Sequence, residues 1–126
     1  MTESSLILES PKKILGIQEE SQQEANKIIW AVLGNNSRVV KSWRQLVLNC
    51  PENAIRCYHH LSYNPMQRSR GRIFPLRGKK FAGAWEYEIT GADRVFYVPL
   101  PAKKKVIVYY AGKHPVKNKY PKPPNV

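Results

Sequence analysis

From Ala84 to Thr90 hydrophobic and polar positions alternate, with Trp85, Tyr87 and Ile89 on one side and Glu86 and Glu88 on the other. This is the period of a half-buried strand. Gly91-Ala92 supplies a turn. Arg94–Val98 and Lys105–Tyr110 follow as β-branched and aromatic runs, apolar at nearly every position, which predicts strands covered on both faces. Between them Pro99 and Pro101 with Lys103–Lys105 make a solvated loop. Because proline donates nothing to a ladder, the second strand is expected to stop at Val98. The three segments form an antiparallel meander, preceded by a short strand over Ile73–Leu76. If Val98 stands opposite Val106, Arg94 stands opposite Tyr110, and Gly112-Lys113-His114 leaves the last strand beside Arg94. Glu88 or Ile89 faces Arg94 according to whether the turn has three residues or two.

Upstream the period changes to that of a helix. Asn36 or Ser37 caps a helix running to about Asn49, with Val40, Trp43, Leu46 and Val47 as its apolar stripe. Pro51, tolerated at a first helical position, opens a second helix that turns Ala54, Ile55, Tyr58 and Leu61 inward before Asn64-Pro65 ends it. The fold class is therefore α+β, a small antiparallel meander covered by two helices. Lys27–Leu33 fits either a helix stopped by Gly34 or a β-branched, aromatic strand.

The chain has 126 residues and a formal charge of +12, consistent with one small domain. The charge is uneven: residues 1–26 hold five acids against two lysines, net −3, leaving +15 on the remainder. Residues 1–26 are read as an acidic, flexible arm, 27–116 as the domain, and 117–126 as a Pro/Lys-rich tail, extended and anchored by Tyr120 alone. No apolar run reaches the ~20 residues of a membrane span and the N-terminus lacks the order of a signal peptide, so a cytoplasmic location is expected. Cys50 and Cys57, the only cysteines, read as buried thiols in a reducing compartment; no metal and no cofactor is expected. His59 and His60 lie mid-helix as surface or packing residues.

Met66–Arg72 places three arginines in one short loop, and Arg77, Lys79 and Lys80 follow the short strand. Cations in loops flanking a sheet suit a nucleic-acid backbone, because neutralising phosphates releases counterions. Arg68, Arg70, Arg77, Lys79, Lys80 and Lys113 are the candidate RNA-binding residues. Phe81, Trp85 and Tyr87 offer stacking surfaces for unpaired bases.

The order PLRG, aromatic strand, short turn, RVFYV, apolar strand, then GKH with Tyr120 six residues beyond His114 resembles bacterial toxins of the RelE/ParE family, over roughly Val39 to Tyr120. The resemblance places the family's first strand at Lys27–Leu33. It implies a toxin of a toxin–antitoxin pair, partnered by a cognate antitoxin protein. Its activity would be that of a ribosome-dependent endoribonuclease that cuts messenger RNA by attack of a 2′-hydroxyl on the neighbouring phosphate. Arg94 matches the arginine that opens the family's RLVY-like strand and suits bidentate phosphate contact. His114 follows the GK pair, where an imidazole serves general acid–base work, and Tyr120 stands at the family's spacing from it. Two lysines of the best-known members are replaced by Glu86 and Glu88. The glutamate that one branch places just before Pro-Leu is replaced by Phe74. Either Glu86 or Glu88 could take over that carboxylate's role, Glu88 being taken as the candidate catalytic group; both equally fit the polar face of a strand, and Glu88 could pair with Arg94 instead. Two other functions fit the same resemblance: ParE-like inhibition of DNA gyrase by protein binding, and a non-catalytic RNA- or ribosome-binding module.

Overall fold

A computed structural model describes residues 6–18 and 29–126. Six strands, β1 (Leu6–Ile7), β2 (Ala31–Gly34), β3 (Ile73–Pro75), β4 (Trp85–Glu88), β5 (Asp93–Leu100) and β6 (Lys105–Lys113), form one sheet in the order β1-β2-β6-β5-β4-β3. All neighbours are antiparallel except β2 and β6. Among the described residues three helices accompany them, α1 (Pro11–Leu15), α2 (Ser37–Asn49) and α3 (Pro51–Tyr63). No helix among the described residues is long and apolar enough to cross a membrane.

The two long helices begin as their sequence dictates. Asn36 caps α2, its side-chain oxygen accepting from the Val39 amide at 3.0 Å, and Pro51 opens α3, which ends at Tyr63. Trp43, Leu46, Val47, Ala54, Cys57 and Leu61 pack on one face of the sheet, against Val95, Tyr97, Val106, Val108 and Trp85. The opposite face carries a second, smaller cluster of Ala84, Phe96, Val98 and Tyr109. Leu76, Phe81, Tyr110 and Tyr120 cover it. The apolar strands β5 and β6 are thus covered on both sides.

Four expectations are corrected. First, residues 6–18 are not a free arm. Leu6–Ile7 adds a strand to β2, Leu8 is fully buried, and α1 lies across α2 and α3. The Trp43 indole donates to the Glu9 carbonyl at 3.0 Å, and the Tyr58 hydroxyl to the Leu8 carbonyl at 3.1 Å. Leu8 fits because Gly34 lacks a side chain: a Cβ there would lie 3.1 Å from its methyl group. Two apolar residues and a proline-started turn carry no periodicity to read, so the sequence hid this strap. Residues 1–5 and 19–26 of the expected arm lie outside the described residues. Second, a helix beyond the two expected, α1, is present among the described residues; it lies on α2 and α3, while those two cover the sheet.

Third, β5 continues through Pro99 to Leu100. The β4 ladder ends where Trp85 meets Tyr97, so beyond Tyr97 the strand has β6 as its one ladder neighbour and tolerates a missing N–H. Fourth, the β5–β6 register differs. Val98 faces Ile107, Pro99 faces Val106 and Arg94 faces Gly112, with an irregularity between Phe96 and Tyr97. The extra residue of this bulge sets both Tyr109 and Tyr110 on the side of Phe96. Arg94 shifts by two positions from its expected partner, so it keeps its face. Of the ambiguous 27–33 run, Ala31–Leu33 is strand, Ile29 and Trp30 precede it, and 27–28 lie outside the described residues. In the tail, Tyr120 packs on Phe81 and Phe96. Pro121, Pro123 and Pro124 are also half-buried, so Tyr120 is not the sole anchor.

Candidate functional site

At the end of the sheet where β4 turns into β5, Glu88 faces Arg94 directly. Ile89 closes the turn against the Asp93 carbonyl across Thr90-Gly91-Ala92, which settles the turn at three residues. Thr90 organises it: its hydroxyl oxygen accepts from the amides of Ala92 and Asp93 and donates to the Asp93 carboxylate at 2.8 Å. The last strand leaves beside this turn, the His114 amide donating to the Ala92 carbonyl at 2.8 Å. That hydrogen bond carries the His114 imidazole to the sheet face that holds Glu86 and Arg94.

The structure brings Arg94, Glu88, His114 and Tyr120 together, and it adds Glu86 at their centre. The Arg94 Nε donates to Glu86 Oε2 at 3.0 Å, and Nη2 lies 3.7 Å from Glu88 Oε1. Nη1 reaches the carbonyls of Thr90 at 2.7 Å and Asp93 at 3.0 Å. Glu86 Oε2 is also 3.8 Å from His114 Nε2, which in turn stands 3.2 Å from the Tyr120 hydroxyl. The Arg94 side chain is only 13% exposed and that of Glu86 5%, whereas that of His114 is 37% exposed. Arg94 is therefore committed inward, all three of its nitrogens having partners, and of these three side chains His114 is the one that meets solvent.

The buried carboxylate marks its neighbours. The Tyr120 phenol is pushed up from its ordinary range by burial first, then by the negative charge of Glu86; Arg94 offsets part of this. The Tyr109 phenol lies buried under the tail with no hydrogen-bond partner among the described residues. It too is pushed up, by burial and by Glu86.

Alternation places Glu86 beside Glu88 on the polar side of β4 and says nothing of its burial. The signal is the diagonal from Arg94: residues two apart on one strand both reach a long side chain on the next. Thr90 escapes sequence reasoning because one hydroxyl in a turn looks like many others.

The candidate RNA-binding residues surround this cluster without joining it. Lys113 immediately precedes His114. Lys79 and Lys80 belong to a short 3-10 turn, Lys79–Phe81, whose Phe81 ring meets Tyr120 at 6.3 Å between centroids. Arg72 is held at the Glu88 end of β4 by its carbonyl, which accepts from the Glu88 amide at 2.8 Å. Arg68 and Arg70 stand just before it. Arg68, Arg70, Arg77, Lys79, Lys80 and Lys113 are all exposed, and none pairs with an acid among the described residues. Of the expected stacking rings, Trp85 is buried in the core and Tyr87 is half-buried, so neither is presented to a base. Phe81 is half-buried on the other face. No group of three or more metal-ligating side chains gathers among the described residues. No protein-family model and no curated protein matches the chain.

Proposed function

We propose that this protein is a cytoplasmic toxin of the RelE/ParE type, an endoribonuclease that cuts messenger RNA on the ribosome and is held in check by a cognate antitoxin. The observation that carries the reading is the solvent-facing His114, hydrogen-bonded to Tyr120 and backed by a buried carboxylate, in a rim of exposed cations that no described acid neutralises. The strand-helix-helix-strand-strand-strand-strand order from β2 to β6, with β2 parallel to β6, supports the family's fold.

In this mechanism the 2′-hydroxyl loses its proton as its oxygen attacks the neighbouring phosphorus. The 5′-oxygen leaves with a proton, giving a 2′,3′-cyclic phosphate and a 5′-hydroxyl. His114 moves the proton, since an imidazole both accepts and donates near neutrality. Glu86 and Tyr120 both approach Nε2 and together orient the ring. Arg94, which the resemblance assigns to the phosphate, holds Glu86 in place and is a positioning residue. Lys113 and the Lys79–Lys80 turn supply the charge that meets the phosphate.

Expression in growing bacteria, with mapping of messenger ends, tests the proposal. The wild-type protein should arrest growth and leave ends carrying 2′,3′-cyclic phosphate. His114→Gln should retain the fold and ribosome binding and lose about 100-fold or more in cleavage rate. Tyr120→Phe should lose less, because its ring still covers Phe96. One observation favours a second reading: with Arg94 fully occupied, the His114 cluster lacks the open arginine fork expected of a phosphate site, as a protein-binding gyrase inhibitor would. Growth arrest unchanged by His114→Gln, with altered plasmid supercoiling and intact messengers, would make that the correct reading.

A further inference from the structure

The turn joining β5 to β6 lies at the opposite pole of the sheet from His114. Eight residue steps along β6 separate Lys105 from Lys113, roughly 26 Å. Three features coincide at this pole. Lys103, Lys104 and Lys105 are consecutive and exposed, and none is paired with an acid among the described residues. Lys104 is the one non-glycine residue with positive φ among the described residues, at 53°, a conformation that is costly for a side-chain-bearing residue and worth a functional explanation. An open groove of about 320 Å³ lies there, lined by Trp30, Tyr63, Asn64, Met66, Gln67 and Lys104.

The left-handed backbone sets Lys104 where its ammonium stands 4.8 Å from the centre of the Trp30 ring, a cation–π distance. The same residue's carbonyl accepts from the Ala31 amide at 2.9 Å, fixing the turn against β2. The groove thus has aromatic and thioether surface, two side-chain amides able to donate and accept, a lysine at its mouth and, among the described residues, no acidic wall. That is the composition for one unpaired base, with backbone phosphates lying along the lysines. Its volume is at the small end of ligand pockets, about 300–1,000 Å³, and suits a nucleoside better than a larger ligand.

We propose that this pole is a second RNA-binding surface, which seats an unpaired nucleotide in the Trp30–Tyr63–Lys104 groove and grips the adjoining phosphates with Lys103–Lys105. It extends the RNA reading proposed above, but it uses none of the residues of the His114 cluster. A protein partner is disfavoured by the run of lysines that no described acid neutralises and by the small, amide-edged groove.

The test uses the full chain and a fluorescently labelled single-stranded RNA containing 4-thiouridine. Lys104→Gly removes the ammonium while suiting the left-handed turn, so its thermal stability should be equal or higher and folding does not confound the result. Affinity should fall severalfold, and the slope of log affinity against log salt should shrink by about 0.7 for each phosphate that is no longer neutralised. Combining it with Lys103→Ser and Lys105→Ser should deepen both effects, and photocrosslinks should map to Trp30, Tyr63 or Met66. Unchanged affinity and slope in the triple variant, while replacement of Arg68, Arg70, Lys79 and Lys80 weakens binding, would overturn the second surface and leave the first reading standing. If neither set weakens binding, both fall. Crosslinks confined to the His114 end would also overturn it.

Discussion

Replacing Arg94 by alanine separates a positioning role from direct contact with phosphate. In the folded protein its guanidinium neutralises Glu86, whose side chain is 5% exposed, at 3.0 Å, and clasps the carbonyls of Thr90 and Asp93. Removing it leaves a carboxylate buried without its charge partner, a change that typically costs about 3–5 kcal/mol. That is a large share of the ~5–15 kcal/mol that holds a small domain together. At a few degrees of melting temperature per kcal/mol, Arg94→Ala should melt at least about 10 °C below the wild type. Removing the stranded charge as well should restore part of the loss, so the Glu86→Ala, Arg94→Ala double variant should be more stable than Arg94→Ala alone. Urea and thermal melts of the four proteins form a double-mutant cycle that measures the coupling. If Arg94→Ala melts with the wild type, and messenger cleavage is nonetheless lost, the guanidinium serves the phosphate directly. The assignment to positioning is then wrong.

Leu8→Ala should cost about 2–5 kcal/mol, as for other fully buried leucines. Deleting residues 1–18 should be worse, since it also strips the Trp43 indole of its acceptor; a deletion that melts like the full chain would show the strap to be dispensable. Replacing Arg68, Arg70, Lys79 and Lys80 together should flatten the salt dependence of ribosome binding, reducing the log–log slope by up to about 3 if all four meet phosphates. At alkaline pH the phenols of Tyr87, Tyr97 and Tyr109 are all held above their ordinary range, chiefly by burial. The unfolded chain ionises first and the fold holds the extra protons, so stability should fall from about pH 10 upward, by up to about 1.4 kcal/mol per phenol per pH unit. A melting temperature constant between pH 9 and about pH 11 would contradict that.

The sheet half is legible in the sequence because its signals are local. Alternation from Trp85 to Ile89, the Gly91-Ala92 turn and two β-branched runs each report on their own strand, and all three strands are present. The caps at Asn36 and Pro51 are legible for the same reason. The parts that escape depend on distant residues. Leu8 gains its place from the missing side chain at Gly34, and nothing around it announces this. The bulge opposite Phe96 is one residue in an unbroken apolar run, so a straight count along the pair goes astray while the face assignment survives. Tyr120 joins Arg94 and His114 only through the spacing that the resemblance implies, whereas those two can be gathered from strand order alone. That Arg94 points inward cannot, because this follows from the burial of Glu86, and a glutamate on the polar side of an alternating strand is ordinarily solvated.

The parallel pairing of β2 with β6 has a consequence for how the chain comes to be folded. β6 is the last strand in sequence yet sits in the middle of the sheet, between β2 and β5. Until residues 105–113 have emerged during synthesis, the sheet exists only as two separate pieces, β1–β2 and β3–β4–β5. Each presents an open edge that the final strand alone can zip, and pairings between residues so far apart in sequence form slowly. Both edges are sticky in the interval, since an unpaired apolar strand is a template for any other. A nascent chain halted before Lys105 should therefore aggregate or be degraded, and assembly of the His114 cluster is the closing event of folding.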